Sequence, residues 1–191
     1  LGMMASDIEQ RVDFDAMRQY KVSRVQDQLE AKEIGAVILL DPDNIRYATA
    51  TDLPDWSRDK MVRYAIVPRG GSPILFELGS AGAAKKKLCP WLGEENIRPS
   101  IPWARGVNPS SVTQGILKAN VAQIKTVLEE NKVLDAPIGI DITDMYFLGA
   151  LKEGGLNIVN GSDVMWDARV VKCKQELQLI ETSAGIADGC W

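Results

Sequence analysis

The chain has 191 residues, of which 46% are hydrophobic and 25% are charged, and its net charge is -4. It contains no histidine, which excludes the commonest general base and the usual partner of a catalytic serine or cysteine. Its basic residues are scattered, so the sequence predicts no binding of nucleic acid or of an anionic membrane. The three cysteines form no C-x-x-C pair, which indicates neither a disulfide framework nor a zinc site and favours a reducing, cytoplasmic location.

The N-terminus carries no apolar signal core. The longest uninterrupted apolar run, residues 35–40, is far shorter than the roughly 20 residues of a membrane-spanning helix. We interpret residues 1–12 as a tag remnant or a disordered lead. The fold is therefore expected to begin at residue 13.

The first part of the chain predicts a helix followed by two strands. Residues 14–33 place apolar side chains on one helical face, with Asp13 as the N-cap. Residues 36–40 are an unalternated aliphatic run, typical of a central strand that is buried on both faces. Residues 41–44 have the composition of a turn, and residues 45–49 alternate like a second strand.

The middle of the chain predicts an extension of the sheet. Residues 62–67 and 74–78 are strand-like runs joined by a glycine-rich turn, a pattern that indicates a hairpin. A short helix over residues 80–88 and an edge strand around residues 97–101 are expected to follow.

A long helix is predicted to run to about residue 131. Asn108 is its predicted cap, Pro109 its first helical residue, and Ser111 with Gln114 a capping box. Its predicted buried face consists of Leu117, Val121, Ile124 and Leu128.

The C-terminal part continues the alternation of strands and helices. Residues 138–141 and 156–159 predict strands, separated by a helix that Thr143 or Asp141 caps. A helical pattern from Lys174 to the end of the chain has an apolar face. This order predicts a three-layer α/β domain whose mixed five- or six-stranded sheet is flanked by helices.

The connection from Ala50 to Lys60 combines charged side chains with a tryptophan. Trp56 must pack onto the domain or meet a partner or ligand, and the sequence leaves both open. Together with Asp52, Asp55 and Arg58 it is our candidate for a substrate-pocket or dimer-interface residue. A solvated polar loop is favoured over a calcium site, because calcium loops need more oxygen ligands at tighter spacing.

Two features after the hairpin bear on ligand binding. Gly79 and Gly82 precede a helix, as in phosphate-binding turns, but they lack the G-x-G-x-x-G spacing, so a plain tight turn is favoured. The lysines at residues 85–87 are interpreted as a solvated helix face rather than a phosphate clamp.

Two motifs near opposite ends of the chain suggest a family. The first contains Asp41, Pro42, Asn44, Ile45, Arg46 and Tyr47, and the second contains Arg169, Lys172 and Glu176. Their residues and order resemble the N-terminal domain of the creatinase, aminopeptidase P and prolidase family and the linker that follows it. The motif residues are interpreted as structural.

The resemblance implies an α/β accessory domain over residues 13–165, with residues 166–191 forming a linker and the first helix of a truncated catalytic domain. It implies no catalytic residue and no metal in this chain, since that family holds two divalent ions (Mn, Co, Zn or Fe) in the downstream domain. It also implies a homodimer in which the loop with Trp56 reaches a substrate pocket.

The resemblance further implies that the parent protein is a Xaa-Pro dipeptidase-like hydrolase acting on a dipeptide or another small molecule. Residues 47–50, Tyr-Ala-Thr-Ala, depart from the usual Tyr-Leu-Thr-Gly and look more like the dimethylsulfoniopropionate lyase branch. A free-standing module that binds a small ligand or nucleotide, and a purely structural dimerisation domain, remain alternatives.

Overall fold

A computed structural model describes residues 12–52, 63–102 and 109–190. The helices in these ranges are α1 Phe14–Ala31, α2 Pro42–Thr49, α3 Gly79–Leu88, α4 Ser110–Glu130, α5 Met145–Glu153, α6 Ser162–Val170 and α7 Lys174–Cys190. The strands are β1 Ala36–Leu39, β2 Tyr64–Pro68, β3 Ile74–Glu77, β4 Ile97–Pro99, β5 Ile138–Ile140 and β6 Ile158–Asn160. Short 3-10 turns cover Pro90–Leu92 and Glu94–Asn96.

The strands of the described residues form one six-stranded sheet in the order β4-β3-β2-β1-β5-β6. Only β2 is antiparallel to its neighbours, and the other adjacent pairs are parallel. The predicted hairpin is confirmed as β2 and β3, and the predicted edge strand as β4. Every residue of β1 is buried, which confirms it as the central strand.

Helices cover both faces of the sheet, which confirms the α/β class and the three layers. Because successive strand residues face opposite sides, Ile38 packs in one layer and Val37 in the other. The first layer is built by α4 and α5, and the second by α1, α2 and α6. The predicted α4 face is buried at Leu117, Val121, Ile124 and Leu128.

Residues 41–49 form helix α2, so the predicted turn and strand are wrong. Asp41 is the N-cap, and its carboxylate accepts hydrogen bonds from the main-chain nitrogens of Asp43 and Asn44. Pro42 occupies the first turn, where its missing N–H costs no hydrogen bond. The exposed residues of α2 are Asp43 and Arg46, which share one helical face, and the residues from Asn44 to Thr49 are otherwise buried.

Two predicted caps are also wrong. No side chain caps α4, so the predicted capping box of Ser111 and Gln114 does not form. Asp144, rather than Thr143 or Asp141, caps α5 by accepting from two main-chain nitrogens. Asp141 is instead buried in a hydrogen-bond network described below.

Helix α6 was not predicted, and the proposed domain boundary after residue 165 falls inside it. Ala168, beyond that boundary, is fully buried in the layer that α6 shares with α1 and α2. Within the described ranges, none of the helices combines the length and apolarity needed to span a membrane.

Candidate functional site

Of the predicted pocket loop, Ala50 to Lys60, the structure describes residues up to Asp52, and the next described residue is Arg63. Asp55, Trp56 and Arg58 lie among residues 53–62, outside the described residues, so their role stays a prediction. Asp52 is exposed, but its carbonyl oxygen accepts a hydrogen bond of 3.0 Å from Arg63 Nη1. Its carboxylate pairs with Lys85. Both ends of the loop are therefore held by one guanidinium group.

Arg63 is the centre of a buried polar cluster. Its side chain is 1% exposed, and its Nε lies 2.9 Å from Oε2 of Glu77, which is equally buried. Tyr64 pairs with Phe76 across the hairpin, and continuing that register puts Arg63 opposite Glu77. Arg63 Nη2 donates to the Thr51 hydroxyl.

We call the cluster of Arg63, Glu77, Thr51, Asp52 and Lys85 the clamp. The pKa shifts of the groups in and around it indicate a structural role. Burial lowers the pKa of Arg63, and the charge of Glu77 opposes that shift. Burial also raises the pKa of the Cys89 thiol, although Lys85 and Arg63 oppose it. A thiol held in its protonated form is a poor nucleophile. Lys85 is 4% exposed, so the prediction of a solvated lysine face is wrong at that residue.

A groove of about 490 Å³ lies beside the clamp, between α1 and the end of α2. The Arg18 guanidinium stands 3.8 Å from the ring centroid of Trp91, within the range of a cation–π contact. The Trp91 indole nitrogen donates to the carbonyl of Thr49 at 2.9 Å. The groove therefore ends at the residues that lead into the pocket loop.

The two sequence motifs meet in a second polar cluster, the motif cluster, which consists of Asn44, Asp141 and Arg169. Arg169 Nη1 donates to Oδ1 of Asn44 at 2.9 Å, and the Asn44 amide donates to Asp141 at 3.0 Å. The Asp141 carboxylate also accepts from the main-chain nitrogens of Leu40, Asp41 and Ile142. Burial raises the pKa of Asp141, and these hydrogen bonds oppose that shift.

This second cluster lines a pocket of about 210 Å³ at the carboxyl ends of β1 and β5. The chain continues from β1 towards β2 on one side and from β5 towards β6 on the other, so this is the switch point where open α/β sheets bind ligands. Here both carboxylate oxygens of Asp141 are already used by internal donors. The cluster therefore has a structural role, because it ties the ends of β1 and β5 to α2 and α6.

Of the remaining motif residues, Tyr47 contacts the end of α6 and Glu176 lies at the start of α7. The Tyr47 hydroxyl donates to the carbonyl of Ala168 at 2.9 Å. Glu176 accepts from the main-chain nitrogen of Cys173 at 3.1 Å, and Lys21 lies 3.7 Å from the same carboxylate. Lys172 donates to the carbonyl of Arg169, Ile45 is buried in the core, and Arg46 is exposed.

No group of three or more Cys, Asp or Glu residues in the described ranges is arranged to hold a metal ion. The carboxylates of the two clusters are engaged by arginine, lysine or main-chain nitrogens. The described residues therefore do not fit the two-metal site of the related catalytic domains.

Sequence reasoning missed Arg63, Glu77 and Asp141. A usable indication existed for the first two, because each interrupts an apolar run and the runs are joined by a tight turn. Opposite charges at matching positions of a hairpin predict a cross-strand pair. For Asp141 the sequence predicts only a possible helix cap, because its partners Asn44 and Leu40 lie about 100 residues earlier in the chain.

No protein-family model matches the chain. The dimethylsulfoniopropionate lyase DddP of Roseobacter denitrificans is 25% identical over 180 residues, which is 90% of this chain and 38% of that protein. A Xaa-Pro dipeptidase from Bacillus anthracis superposes with a TM-score of 0.60 at 13% identity, covering 90% of this chain and 41% of the other. The N-terminal domain of the cytoplasmic peptidase PepQ from Mycobacterium tuberculosis H37Rv has a TM-score of 0.50 at 17% identity, and the match covers 78% of this chain and 98% of that domain.

The chain has a creatinase/prolidase N-terminal domain-like fold. It is also distantly homologous to the DddP lyases over most of its length. It spans less than two fifths of the length of these curated relatives, at 38% and 36%. Of the two polar clusters, the one that joins both motifs lies beside α6, the helix that precedes α7.

Proposed function

We propose that the chain is the non-catalytic N-terminal domain of a larger creatinase-type enzyme, in which it contributes to dimerisation and to the substrate pocket. The observation that carries the proposal is the contrast within α7. Its first turn is held by Glu176, which accepts from the main-chain nitrogen of Cys173 and lies 3.7 Å from Lys21, yet no residue of the helix is buried. A helix whose first turn is attached to this domain, while its apolar side chains stay exposed, is suited to pack against a second domain.

The composition of α7 supports this role. Leu177 and Ile180, which are three residues apart on one helical face, are exposed by 48% and 51%. Fully burying an aliphatic side chain of this size contributes about 1.5 to 3 kcal/mol. A catalytic domain packed on this face would therefore be held in a defined position relative to the motif cluster.

The clamp supports the contribution to a substrate pocket. Arg63 and Lys85 fix Thr51 and Asp52 at the base of the loop that carries Trp56. Loops held on a rigid scaffold are the usual carriers of binding residues. The proposed role of this domain is to present that loop to an active site in the downstream domain or in a neighbouring subunit.

A dimethylsulfoniopropionate lyase is the proposed parent enzyme. It is supported by the 25% identity to DddP over 90% of the chain. A Xaa-Pro dipeptidase is the second candidate, and the TM-score of 0.60 to the Bacillus anthracis enzyme supports it. In either case two divalent metal ions in the downstream domain would supply the chemistry, and this chain would contribute shape and position.

The test is to express the 191-residue chain and the complete reading frame of its gene, and to assay both. Each protein is supplied with Mn²⁺, Co²⁺, Zn²⁺ or Fe²⁺ and is offered dimethylsulfoniopropionate or Xaa-Pro dipeptides. The chain alone should give background rates, and the complete product should turn over one substrate class. Turnover by the chain alone, or a complete product without a further domain, would overturn the proposal.

The contribution of the loop is tested with Trp56→Ala in the complete product. We expect a lower kcat/KM but a free energy of unfolding of the chain within about 0.5 kcal/mol of wild type, as for surface substitutions generally. Leu88→Ala, which truncates another large apolar side chain that is 66% exposed, is the control and should change neither quantity. A loss of about 3 to 5 kcal/mol for Trp56→Ala would identify a core residue and end its candidacy.

A further inference from the structure

The residues that lead into the predicted pocket loop are joined by a chain of buried hydrogen bonds. The Thr49 hydroxyl lies 2.7 Å from the Ile45 carbonyl oxygen and 2.7 Å from the Thr51 hydroxyl. Arg63 Nη2 contacts the same Thr51 hydroxyl. Thr49, Thr51 and Arg63 are each 1% exposed, so bulk water does not compete for these contacts.

The chemistry of the groups fixes the direction of every hydrogen bond in this chain. A carbonyl oxygen can only accept, so Thr49 donates its single hydroxyl proton to Ile45. The contact between the two hydroxyls must then be a donation from Thr51 to Thr49. A guanidinium group can only donate, so the Thr51 oxygen accepts from Arg63. The Thr51 hydroxyl therefore serves as donor and acceptor at once.

Ala50, between the two threonines, has a backbone conformation that needs support from its surroundings. Its φ of 52° and ψ of 31° lie in the left-handed region, which residues with a Cβ adopt infrequently. This conformation ends α2, and the Ala50 N–H donates to the Arg46 carbonyl at 2.9 Å. A left-handed residue other than glycine persists where the surrounding contacts over-determine it.

Main-chain contacts hold the chain on both sides of Ala50. The Thr49 carbonyl accepts from the Trp91 indole nitrogen at 2.9 Å, and the Asp52 carbonyl accepts from Arg63 Nη1 at 3.0 Å. Both contacts use main-chain oxygens, which any residue at positions 49 and 52 would supply. The Thr51 hydroxyl differs, because it connects the guanidinium group to the end of α2 through a side chain.

We propose that Thr51 is a positioning residue whose hydroxyl, held between Arg63 and Thr49, sets the direction in which the chain leaves α2 towards the loop that carries Trp56. This inference deepens the proposed contribution to a substrate pocket and rests on it. Thr51 acts through the main chain of residues 50–52 rather than through contact with a substrate. Removing its hydroxyl would leave a donor on Arg63 and an acceptor on Thr49 without this partner in a buried site.

Amide hydrogen exchange of the 191-residue chain tests this hydrogen-bond chain without an enzyme assay. Thr51→Val nearly keeps the shape of the side chain and removes the hydroxyl. We expect the Ala50 amide to exchange about tenfold faster or more, because the last turn of α2 loses a buried hydrogen bond. Thr51→Ser restores a hydroxyl and should restore the wild-type rate. The Gly154 amide, which donates to Ala150 at the end of α5, should be unchanged in both variants.

The same variants in the complete product of the gene test the positional role. Thr51→Val should raise KM about tenfold for dimethylsulfoniopropionate or the Xaa-Pro dipeptide, whichever the product turns over, with kcat nearly unchanged, because the loop would contribute binding and the downstream domain the chemistry. Thr51→Ser should restore KM. Thr126→Val is the matched control, since this exposed threonine donates to the Ala122 carbonyl of its own helix; it should change neither quantity.

Thr49→Val keeps the contact between Arg63 and Thr51, and it serves if Thr51→Val does not fold. It should also speed exchange of the Ala50 amide and raise KM. Unchanged exchange in the valine variants, a Thr51→Ser variant no better than Thr51→Val, or faster exchange with an unchanged KM would overturn the positioning role. A wild-type complete product that turns over neither substrate contradicts the proposed function itself, whereas exchange in the chain alone judges Thr51 independently.

Discussion

Removing the positive charge of Arg63 should be among the most damaging single changes in this domain. In Arg63→Met the Glu77 carboxylate stays 1% exposed but loses its cation. The Asp52 carbonyl and the Thr51 hydroxyl lose a donor at the same time. Breaking a buried ion pair by removing one partner costs about 3 to 5 kcal/mol. At about 2 to 4 °C per kcal/mol for a chain of this size, the melting temperature should fall by about 6 to 20 °C.

The companion variants separate the charge effect from the loss of side-chain bulk. In Arg63→Met/Glu77→Leu both charges are gone, and replacing a buried ion pair by apolar residues is often nearly neutral. We therefore expect the double variant to recover more than half of the stability lost in the single variant. Arg46→Met is the matched control, because Arg46 is exposed on α2 and its replacement should cost less than about 0.5 kcal/mol.

Urea unfolding followed by tryptophan fluorescence and circular dichroism measures the four free energies. Coincident transitions by the two probes would support a two-state comparison. A loss below about 1 kcal/mol in Arg63→Met would show that water reaches the carboxylate and that the pair is not truly desolvated. A double variant no more stable than the single one would show that packing, and not charge, explains the loss.

Two other predictions concern the motif cluster and the buried tyrosines. Asn44→Ala should cost about 2 to 4 kcal/mol, because Arg169 and Asp141 each lose a hydrogen bond in a buried site; Asn157→Ala, at an exposed position, is the control in the same urea titration. Burial raises the pKa of Tyr47 and of Tyr64 above the usual 10.0, so the folded chain binds these protons more tightly than the unfolded chain. The stabilisation that these two protons contribute should be fully present below pH 10. Above pH 10 the free energy of unfolding should fall by up to about 1.4 kcal/mol per pH unit for each tyrosine. Tyr64→Phe should reduce that slope and Tyr146→Phe should not, and equal slopes in all three proteins would contradict the assignment.

The parts of the fold that the sequence predicted are those with a strong local pattern. The strand β1 is uniformly aliphatic, and α4 repeats its buried apolar residues at helical spacing from Leu117 to Leu128. The pattern of β1 is explained by burial on both faces of the strand, and the pattern of α4 by burial of one face of the helix. These elements could therefore be assigned without knowledge of their neighbours.

Helix α2 shows why a short buried element is harder. Ile45, Tyr47 and Thr49 alternate with smaller or charged residues, as they would in a strand. Tertiary packing leaves this helix only a narrow polar face, formed by Asp43 and Arg46, which are three residues apart and exposed. A face of two residues in eight is easily missed beside the alternation of Ile45, Tyr47 and Thr49. The reliable indication was at its start, where Asp41 and Pro42 match a helix N-cap and first turn better than a hairpin turn.

Helix α6 was missed for the opposite reason. It is nine residues long, and two of its large apolar side chains, Trp166 and Val170, are 71% and 66% exposed. These residues lie four positions apart and so share a helical face that points away from the core. A periodicity analysis of α6 alone therefore gives two competing apolar faces.

The two polar clusters could not be foreseen because each depends on the order of the strands. The carboxyl ends of β1, β3 and β5 and the amino end of β2 lie at one edge of the sheet, since only β2 is antiparallel. The clamp lies at this edge between β2 and β3, and the motif cluster between β1 and β5. One edge of the sheet therefore carries both the base of the pocket loop and the start of α7.

Helix α2 connects the two clusters along that edge. Asn44 at its start belongs to the motif cluster, and the Thr49 hydroxyl at its end lies 2.7 Å from the hydroxyl of Thr51 in the clamp. Five residues of helix separate them by about 8 Å. Because α2 is buried between these contacts, it relates the end of α6, where Ala168 and Arg169 lie, to the residues at the base of the predicted loop. This arrangement gives Asn44, Tyr47 and Arg169 a positional role.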